Sequence, residues 1–500
     1  MRTAYSVETV RAAERELMAR VPEGALMQRA AAGLAVVCAE VLGKVYGSRV
    51  VLLVGSGDNG GDALYAGARL ARRGAGVAAV LLSPERVHVG GLAAFRGAGG
   101  RVVGSASASA SASASGSGSG SRDVLRGADL VVDGIVGIGG KGGLRAEAAQ
   151  VVGLVRELGV PVVAVDLPSG VDADSGEVSG DAVRADVTVT FGAYKPGLLV
   201  DPGREYAGVV RLVDIGLGGG AGAGAGLGAG EVEALQYVDV ASLLPMPTGE
   251  SDKYRRGVVG IVAGSARYPG AAVLSVAGAL RGGAGAVRYV GHAADAVIAR
   301  FPETLVSAGP PSKAGRVQAW VVGPGLGDDA ERLADVVGAD VPVLIDADGL
   351  RLADAGVVRG RAAPTLLTPH AGEAAALLGV AREEVERGRL AAVRELAGRY
   401  GATVLLKGST TLVAGGGREG GGVVRANPTG TPWLATAGSG DVLSGLAGAL
   451  LAAGLGAGDA GAVGAYLHGL AGRLAAEGAP VGAHDVAGAI PLAWRSVRGE

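Results

Sequence analysis

Several groups of residues in this sequence have the types and spacing to hold anions and move protons. Val50–Val54 runs into Gly55-Ser56-Gly57-Asp58-Asn59-Gly60-Gly61-Asp62 and then into an Ala/Leu/Arg-rich stretch. A strand, a glycine loop and a helix start make an anion cradle. Glycines let backbone N–H groups approach phosphate oxygens, and a helix N-terminus is electropositive. Asp58 and Asn59 interrupt the spacing of the dinucleotide-fold glycine fingerprint, and both are natural N-caps. The loop has more polar groups than a cap needs, so it is read as a binding loop. A second cluster follows Val131-Val132-Asp133: Gly134 to Gly142 is glycine-rich and carries Lys141. A lysine there neutralises phosphate or transfers a proton, unless it is simply a surface lysine on a loop. In the third, Val163-Ala164-Val165-Asp166-Leu167-Pro168-Ser169-Gly170, Asp166 stands at the carboxyl edge of a strand, where parallel sheets face their ligand crevice. Its structural alternative is a turn cap.

Further along, Val258–Ala263 leads into Gly264-Ser265 and an alanine-rich stretch. Gly323-Pro324-Gly325-Leu326-Gly327, Asp346-Ala347-Asp348-Gly349 and Thr368-Pro369-His370-Ala371-Gly372-Glu373 follow, then Lys407-Gly408-Ser409-Thr410-Thr411 and Gly438-Ser439-Gly440-Asp441. Gly-Ser-Gly-Asp before a long apolar helix aims backbone N–H groups at phosphates. It also places Asp441 where a carboxylate accepts the proton of a hydroxyl nucleophile. An N-cap by Ser439 or Asp441 is the plainer reading of that motif in isolation, and the second polar loop, suited to nucleotide phosphate, weakens it. His370 alone is more often structural than catalytic. Asp346 and Asp348 either bind a metal or end a strand.

The elements that must position these residues are short apolar runs alternating with helical runs. Strands are predicted at 49–54, 76–82, 130–133, 160–165, 187–191 and 209–213, with helices at 62–73 and 145–158. The second half repeats the pattern at 258–263, 286–290, 319–322, 341–345, 365–367 and 403–407. Such alternation indicates parallel sheets covered on both faces, hence two α/β domains, each a three-layer αβα sandwich. Five hundred residues exceed one ordinary core. The expected division is 1–217, a Gly/Ala linker at 218–234, and 235–500. A Ser/Ala/Gly tract at 104–121 cannot bury a core and is expected as a surface loop, and 415–422 as a hairpin tip.

Composition excludes several classes. The net charge of -2 and the lack of a basic stripe argue against nucleic acid. One cysteine, Cys38, excludes an intrachain disulfide and fits a reducing compartment. Met1 to Arg20 carries four Arg and three Glu without an apolar core, unlike a secretory signal. The uncharged stretch 442–458 is long enough to raise a membrane reading, but its Gly/Ala richness suits a buried helix. The expected setting is cytoplasmic, away from membranes.

The N-terminal clusters, with Leu26-Met27-Gln28-Arg29-Ala30 and Thr190-Phe191-Gly192-Ala193-Tyr194-Lys195-Pro196-Gly197, resemble the NAD(P)HX epimerase family. Asp58 and Ala63 stand where that family's first loop usually has Asn and Gly. The resemblance implies a Rossmann-like fold and a potassium ion held by Asn59, Asp133 and Ser169. It further implies substrate contacts from Asp58, Asn59, Gly60, Gly61 and Asp62, from Gly137, Ile138, Gly139, Gly140, Lys141, Gly142 and Gly143, and from Asp166. Lys141 and Asp166 would be the catalytic pair, giving and taking protons at the hydroxyl-bearing carbon beside the ring nitrogen.

The C-terminal motifs resemble the ribokinase-like superfamily and, within it, the ADP-dependent NAD(P)HX dehydratases. That implies hydrate contacts by Ala272, Gly325, His370 and Asp441. Nucleotide contacts would come from Lys407, Gly408, Ser409, Thr410, Thr411 and Gly440, with Mg2+ accompanying ADP. Asp441 would activate the hydroxyl of the (S)-hydrate for phosphorylation, AMP and phosphate would be released, and the epimerase would supply the S form from R. NADHX, NADPHX and ADP are therefore the expected small-molecule partners, and a homo-oligomer is expected by the same resemblance. A small-molecule kinase remains open on the C-terminal motifs alone, and a non-enzymatic binding scaffold on the N-terminal fold alone.

Overall fold

The computed structural model describes residues 1–103, 118–217, 227–416 and 422–499. The tract at 104–121, the linker at 218–234 and the tip at 415–422 therefore lie wholly or partly outside the described residues. The chain divides into two compact units, Thr3–Glu231 and Val232–Glu500, and Met1–Arg2, the start of β1 (Arg2–Ala4), count with the second. The Met1 ammonium pairs there with the Asp239 carboxylate at 2.8 Å.

In the first unit, β2 (Arg49–Val54), β3 (Gly76–Leu81), β4 (Arg101–Val103), β5 (Leu130–Gly134), β6 (Val162–Val165), β7 (Val187–Phe191) and β8 (Val209–Val213) form a parallel sheet. Its order is β4-β3-β2-β5-β6-β7-β8. The direction of winding reverses between β2 and β5, and in open α/β sheets ligands bind outside the carboxyl ends at such a point. Alternation along β2 sends Leu52 and Val54 into one core, with Leu34 and Leu64 of the helices Ala25–Leu42 and Asp58–Arg72. Val51 and Leu53 enter the other, with Val151 and Val155 of Ala146–Leu158. Three layers follow from that period of two. Ala25–Leu42 is long and apolar enough to cross a membrane by length and composition. It places Ala30, Ala31, Leu34 and Cys38 in the core of this unit, and burial pushes the Cys38 thiol up to about 12.

The second unit contains β9 (Val232–Ala234), β10 (Val258–Val262), β11 (Ala286–Val290), β12 (Leu305–Ser307), β13 (Ala319–Val322), β14 (Val343–Ile345), β15 (Thr365–Leu367), β16 (Thr403–Leu406), β17 (Thr411–Ala414) and β18 (Val424–Asn427). The order is β1-β9-β18-β17-β16-β15-β14-β13-β10-β11-β12. Strands from β12 to β16 are parallel, and β16, β17 and β18 pair antiparallel. Winding here reverses between β10 and β13. The strands not expected from sequence (β1, β4, β9, β12, β17, β18) have three or four residues each.

The apolar stretch after Asp441 is a core helix, Ser439–Ala452, with every residue from Val442 to Ala452 buried. It lies against the helix Pro269–Arg281 through glycine. A Cβ at Gly445 would overlap Ser275 O, and one at Gly278 would overlap Val442 O. Because the same helix carries Gly440 and Asp441 at its start, this close approach sets their position. Gly445→Ala is expected to lower stability by about 2 kcal/mol, a typical cost of overpacking. Thermal unfolding followed by circular dichroism checks it.

Candidate active sites

In the first unit the helix begins at Asp58, four residues before the sequence-based start, so Asp58–Asp62 is a first helical turn rather than a loop. Gly57, at φ 83°, makes the break. The glycines here chiefly permit close backbone packing: a Cβ at Gly55 would overlap Ile135 O, and one at Gly60 would come within 2.6 Å of Gly55 O. Above them opens a cavity of about 1140 Å³, whose walls include Asp58, Asn59, Asp62, Gly137, Ile138, Gly139 and Asp166. Gly60, Gly61, Gly140, Lys141, Gly142 and Gly143 are not in those walls.

Asp166 ends β6 in the left-handed region, φ 65°, a strain of about 1–3 kcal/mol for a non-glycine residue. Hydrogen bonds hold it there. Its N–H donates to Val189 O at 2.7 Å. Its Oδ1 accepts from Lys195 Nζ at 2.5 Å, Thr190 Oγ1 at 3.0 Å and Phe191 N at 3.3 Å. Lys195, 1% exposed, also donates to Thr190 Oγ1 and Phe191 O. The ion-pair partner of Asp166 is thus Lys195, and not Lys141, the residue expected with it as the catalytic pair. Lys141 is exposed, because its loop is turned aside: Gly140 N–H donates to Gly137 O, and Leu144 N–H to Asp181 O, each at 2.9 Å. Lys195 lies inside a motif singled out in the sequence, but a lysine one residue before proline gives no sign of full burial.

At the end of β5, Ser169 Oγ donates to Asp133 Oδ1 at 2.7 Å and Ser169 N–H to Asp133 Oδ2 at 2.9 Å. Val136 O lies 3.0 Å from the same hydroxyl. Burial pushes the Asp133 carboxyl up to about 6, against the pull of Ser169 and the Ile135 N–H. Asn59, almost fully buried, has no partner for its Nδ2 among the described residues.

In the second unit, Lys407 follows β16 and meets Asp346 at the end of β14, Nζ to Oδ1 2.8 Å, with Glu373 Oε2 at 3.7 Å. Ser444 Oγ donates to Asp346 Oδ2 at 2.6 Å. Desolvation pulls the Lys407 ammonium down, but Asp346, Glu373 and Asp441 together hold it above its ordinary value. Burial first, then Asp346, pushes the Asp441 carboxyl up to about 7, with Lys407 opposing. A Cβ on Gly440 would stand 3.5 Å from Lys407 Nζ. Glycine there keeps the space between the helix N-terminus and the ammonium open to an anion. Asp346, left open between metal binding and strand end, is the partner of Lys407 and Ser444, while Asp348 accepts from Gly327 N–H at 2.8 Å.

Other expected contacts are placed less directly. Ala272 is fully buried, and Thr410 and Thr411 are buried too, leaving Lys407, Gly408 and Ser409 as the accessible part of their loop. His370 Nδ1 caps the helix Ala371–Leu378, accepting from Gly372 and Glu373 N–H, with its ring 58% exposed. Gly325, at φ 59°, lies where a Cβ would strike Ala271 and Tyr268. Sequence reasoning missed Arg389: 7% exposed, it ties Leu406, Lys407 and Thr410 carbonyls at 3.0–3.3 Å. An arginine on an otherwise ordinary helix gives no signal of that task.

Residues 23–197 match the family of YjeF-related protein N-termini, and residues 259–491 match the NAD(P)H-hydrate dehydratase family. The bifunctional NAD(P)H-hydrate repair enzyme Nnr of Mycobacterium tuberculosis is 50% identical over 472 residues, covering 92% of each chain. The chain belongs to the bifunctional NAD(P)H-hydrate repair enzymes. The Mycobacterium leprae enzyme is 49% identical, covering 94% of this chain and 93% of its own. The ADP/ATP-dependent NAD(P)H-hydrate dehydratase from Bacillus subtilis is 28% identical over 52% of this chain and 97% of its own, with a TM-score of 0.48. In this repair enzyme the match to the YjeF-related family takes in Asp166 and Lys195, and that to the dehydratase family takes in Lys407 and Asp441.

Removing the buried Lys195 ammonium leaves Asp166 without its cation. Lys195→Met is expected to destabilise the first unit by about 3 kcal/mol, whereas Lys141→Met on the exposed loop leaves its stability unchanged. Urea unfolding of both variants checks the contrast.

Proposed function

We propose that the chain interconverts the R and S hydrates of NADH and NADPH in its first unit and dehydrates the S hydrate with ADP in its second. The observation that carries the reading is the placement of one acid–base centre in each unit at the carboxyl ends of a parallel sheet: Asp166 with Lys195, and Asp441 with Lys407 and Asp346. The family membership adds to it.

In the first unit, the hydrate's reacting carbon bears a hydroxyl and adjoins the ring nitrogen. Asp166 serves as the base on one face, held in place by Lys195, Thr190 and Phe191. Lys141, exposed on its loop, is assigned to the dinucleotide phosphates rather than to proton transfer. Asp133, Ser169 and Asn59 would hold a potassium ion. The carboxylate, hydroxyl and amide oxygens of these side chains are hard donors, which suit such an ion. The ion would supply positive charge beneath the dinucleotide.

In the second unit, Asp441 takes the proton from the hydrate's hydroxyl, and the oxygen attacks the terminal phosphorus of ADP. AMP departs, and Lys407 with the N–H group of Gly440 receives the phosphoryl charge. The ring nitrogen then pushes phosphate from carbon, and loss of a proton from the neighbouring carbon restores the dihydropyridine. Mg2+ would be held largely by the nucleotide phosphates, since among the described residues no group of three His, Cys, Asp or Glu forms a metal cage.

A base must be ionised to act. Dehydratase kcat/KM is therefore expected to rise with pH and level off above about 7, the value to which Asp441 is raised. Asp441→Asn is expected to lose roughly 100-fold or more of that rate. The assay supplies (S)-NADHX and ADP and follows NADH absorbance. Phosphorylation of a vitamin or sugar with the hydrate left untouched would instead support a kinase.

A further inference from the structure

The reading above gives Asp62 no part in proton transfer. This residue is 8% exposed, lies one turn beyond Asp58 on the helix Asp58–Arg72, and lines the same cavity as Asp166. Its Oδ1 is buried and has no hydrogen-bond partner among the described residues. An ionised carboxylate left that way costs several kcal/mol, whereas a neutral acid tolerates it. Three other carboxylates bear on it: Asp166 from the end of β6, Asp58 on its own helix, and Glu14 from the helix Val7–Met18. Lys195 is committed to Asp166. Arg11 and Arg15 share a helix with Glu14, and His88, over Gly61, accepts from Gly91 N–H. Asp58 occupies the electropositive first turn, whose field fades by the position of Asp62. Glu14, Asp58, Asp62 and Asp166 all line this one cavity, and like charges so gathered disfavour ionisation of the most buried of them. Burial and these like charges hold Asp62 well above the usual carboxylate range, and burial likewise raises Glu14.

We propose that Asp62 is a further catalytic residue of the epimerase: a neutral acid that protonates the departing hydroxyl of the hydrate while Asp166 deprotonates the water that adds to the other face. The inference rests on the epimerase reading. The Asp62 O–H bond breaks as its proton joins the hydroxyl. The carbon–oxygen bond then breaks with its electron pair leaving as water, and the ring nitrogen lone pair closes a C=N bond. Water attacks that carbon from the opposite face, the C=N pair returns to nitrogen, and the surplus proton passes to Asp166. One water leaves and one enters, and nothing is oxidised or reduced. Between turnovers the proton returns from Asp166 to Asp62.

The test is Asp62→Asn in the full chain, with conversion of R to S hydrate followed by NMR above the buffer background. Expected is a roughly 100-fold or larger fall in kcat with little change in KM. The alkaline limb should vanish: wild-type activity falls as rising pH strips the acid of its proton, and the variant has no such proton to lose. Asp62→Glu keeps the acid and should recover part of the rate with an alkaline limb. A wild type that interconverts the hydrates beside an Asp62→Asn variant of unchanged rate and profile overturns this role and leaves the epimerase reading standing. A wild type with no interconversion overturns both. If Asp62→Asn does not fold, a folded Asp62→Glu variant whose alkaline limb sits where the wild type's does overturns the assignment.

Discussion

In each unit a lysine ammonium is held against an aspartate at the end of a parallel strand: buried Lys195 with Asp166, and half-buried Lys407 with Asp346. A buried charge is tolerable only when paired and hydrogen-bonded, so everything around these pairs is constrained to keep them together. Asp166 accepts a left-handed backbone to meet Lys195. Asp346 gives its second oxygen to Ser444 on the helix that begins with Asp441. The charge balance then reaches the reacting groups: Asp441 is raised because Asp346 and burial outweigh Lys407. The chemistry assigned to each unit is a consequence of where its paired lysine sits.

Close backbone approach is the second constraint. Gly55 and Gly60 bring β2, its helix and the Ile135 turn together, and Gly278 and Gly445 do the same for two helices of the second unit. Glycines that look like phosphate loops in sequence therefore serve packing as well as binding. Gly57 and Gly440 differ from them. The first has nothing within 4 Å of its missing Cβ, and the second faces only Lys407 and Asp346.

Much of the fold was legible in the sequence, because apolar strands buried on both faces announce themselves without context. The strands at Arg49–Val54, Ala286–Val290 and Thr365–Leu367 have the expected limits. The helix after β2 was placed late, since Asp58-Asn59-Gly60-Gly61 has poor helix propensity and only tertiary packing makes it helical. At the sites, Asp133 with Ser169, and Lys407 with the helix start at Gly440, came together from motifs far apart in sequence. Lys195 and Arg389 did not stand out, because burial of a long cation depends on partners contributed by other elements. Lys141 attracted attention for its glycine neighbours, and those same glycines let its loop turn away.

The most direct measurement mixes two damaged chains. Asp166→Ala and Asp441→Asn are each supplied with pure (R)-NADHX and ADP, separately and together, and NADH formation is recorded against the slow spontaneous conversion of R to S. The account predicts that each alone yields NADH no faster than that background allows and that the mixture restores rapid formation, because each chain keeps the centre the other has lost. A mixture no better than its components would contradict the existence of two independent acid–base centres.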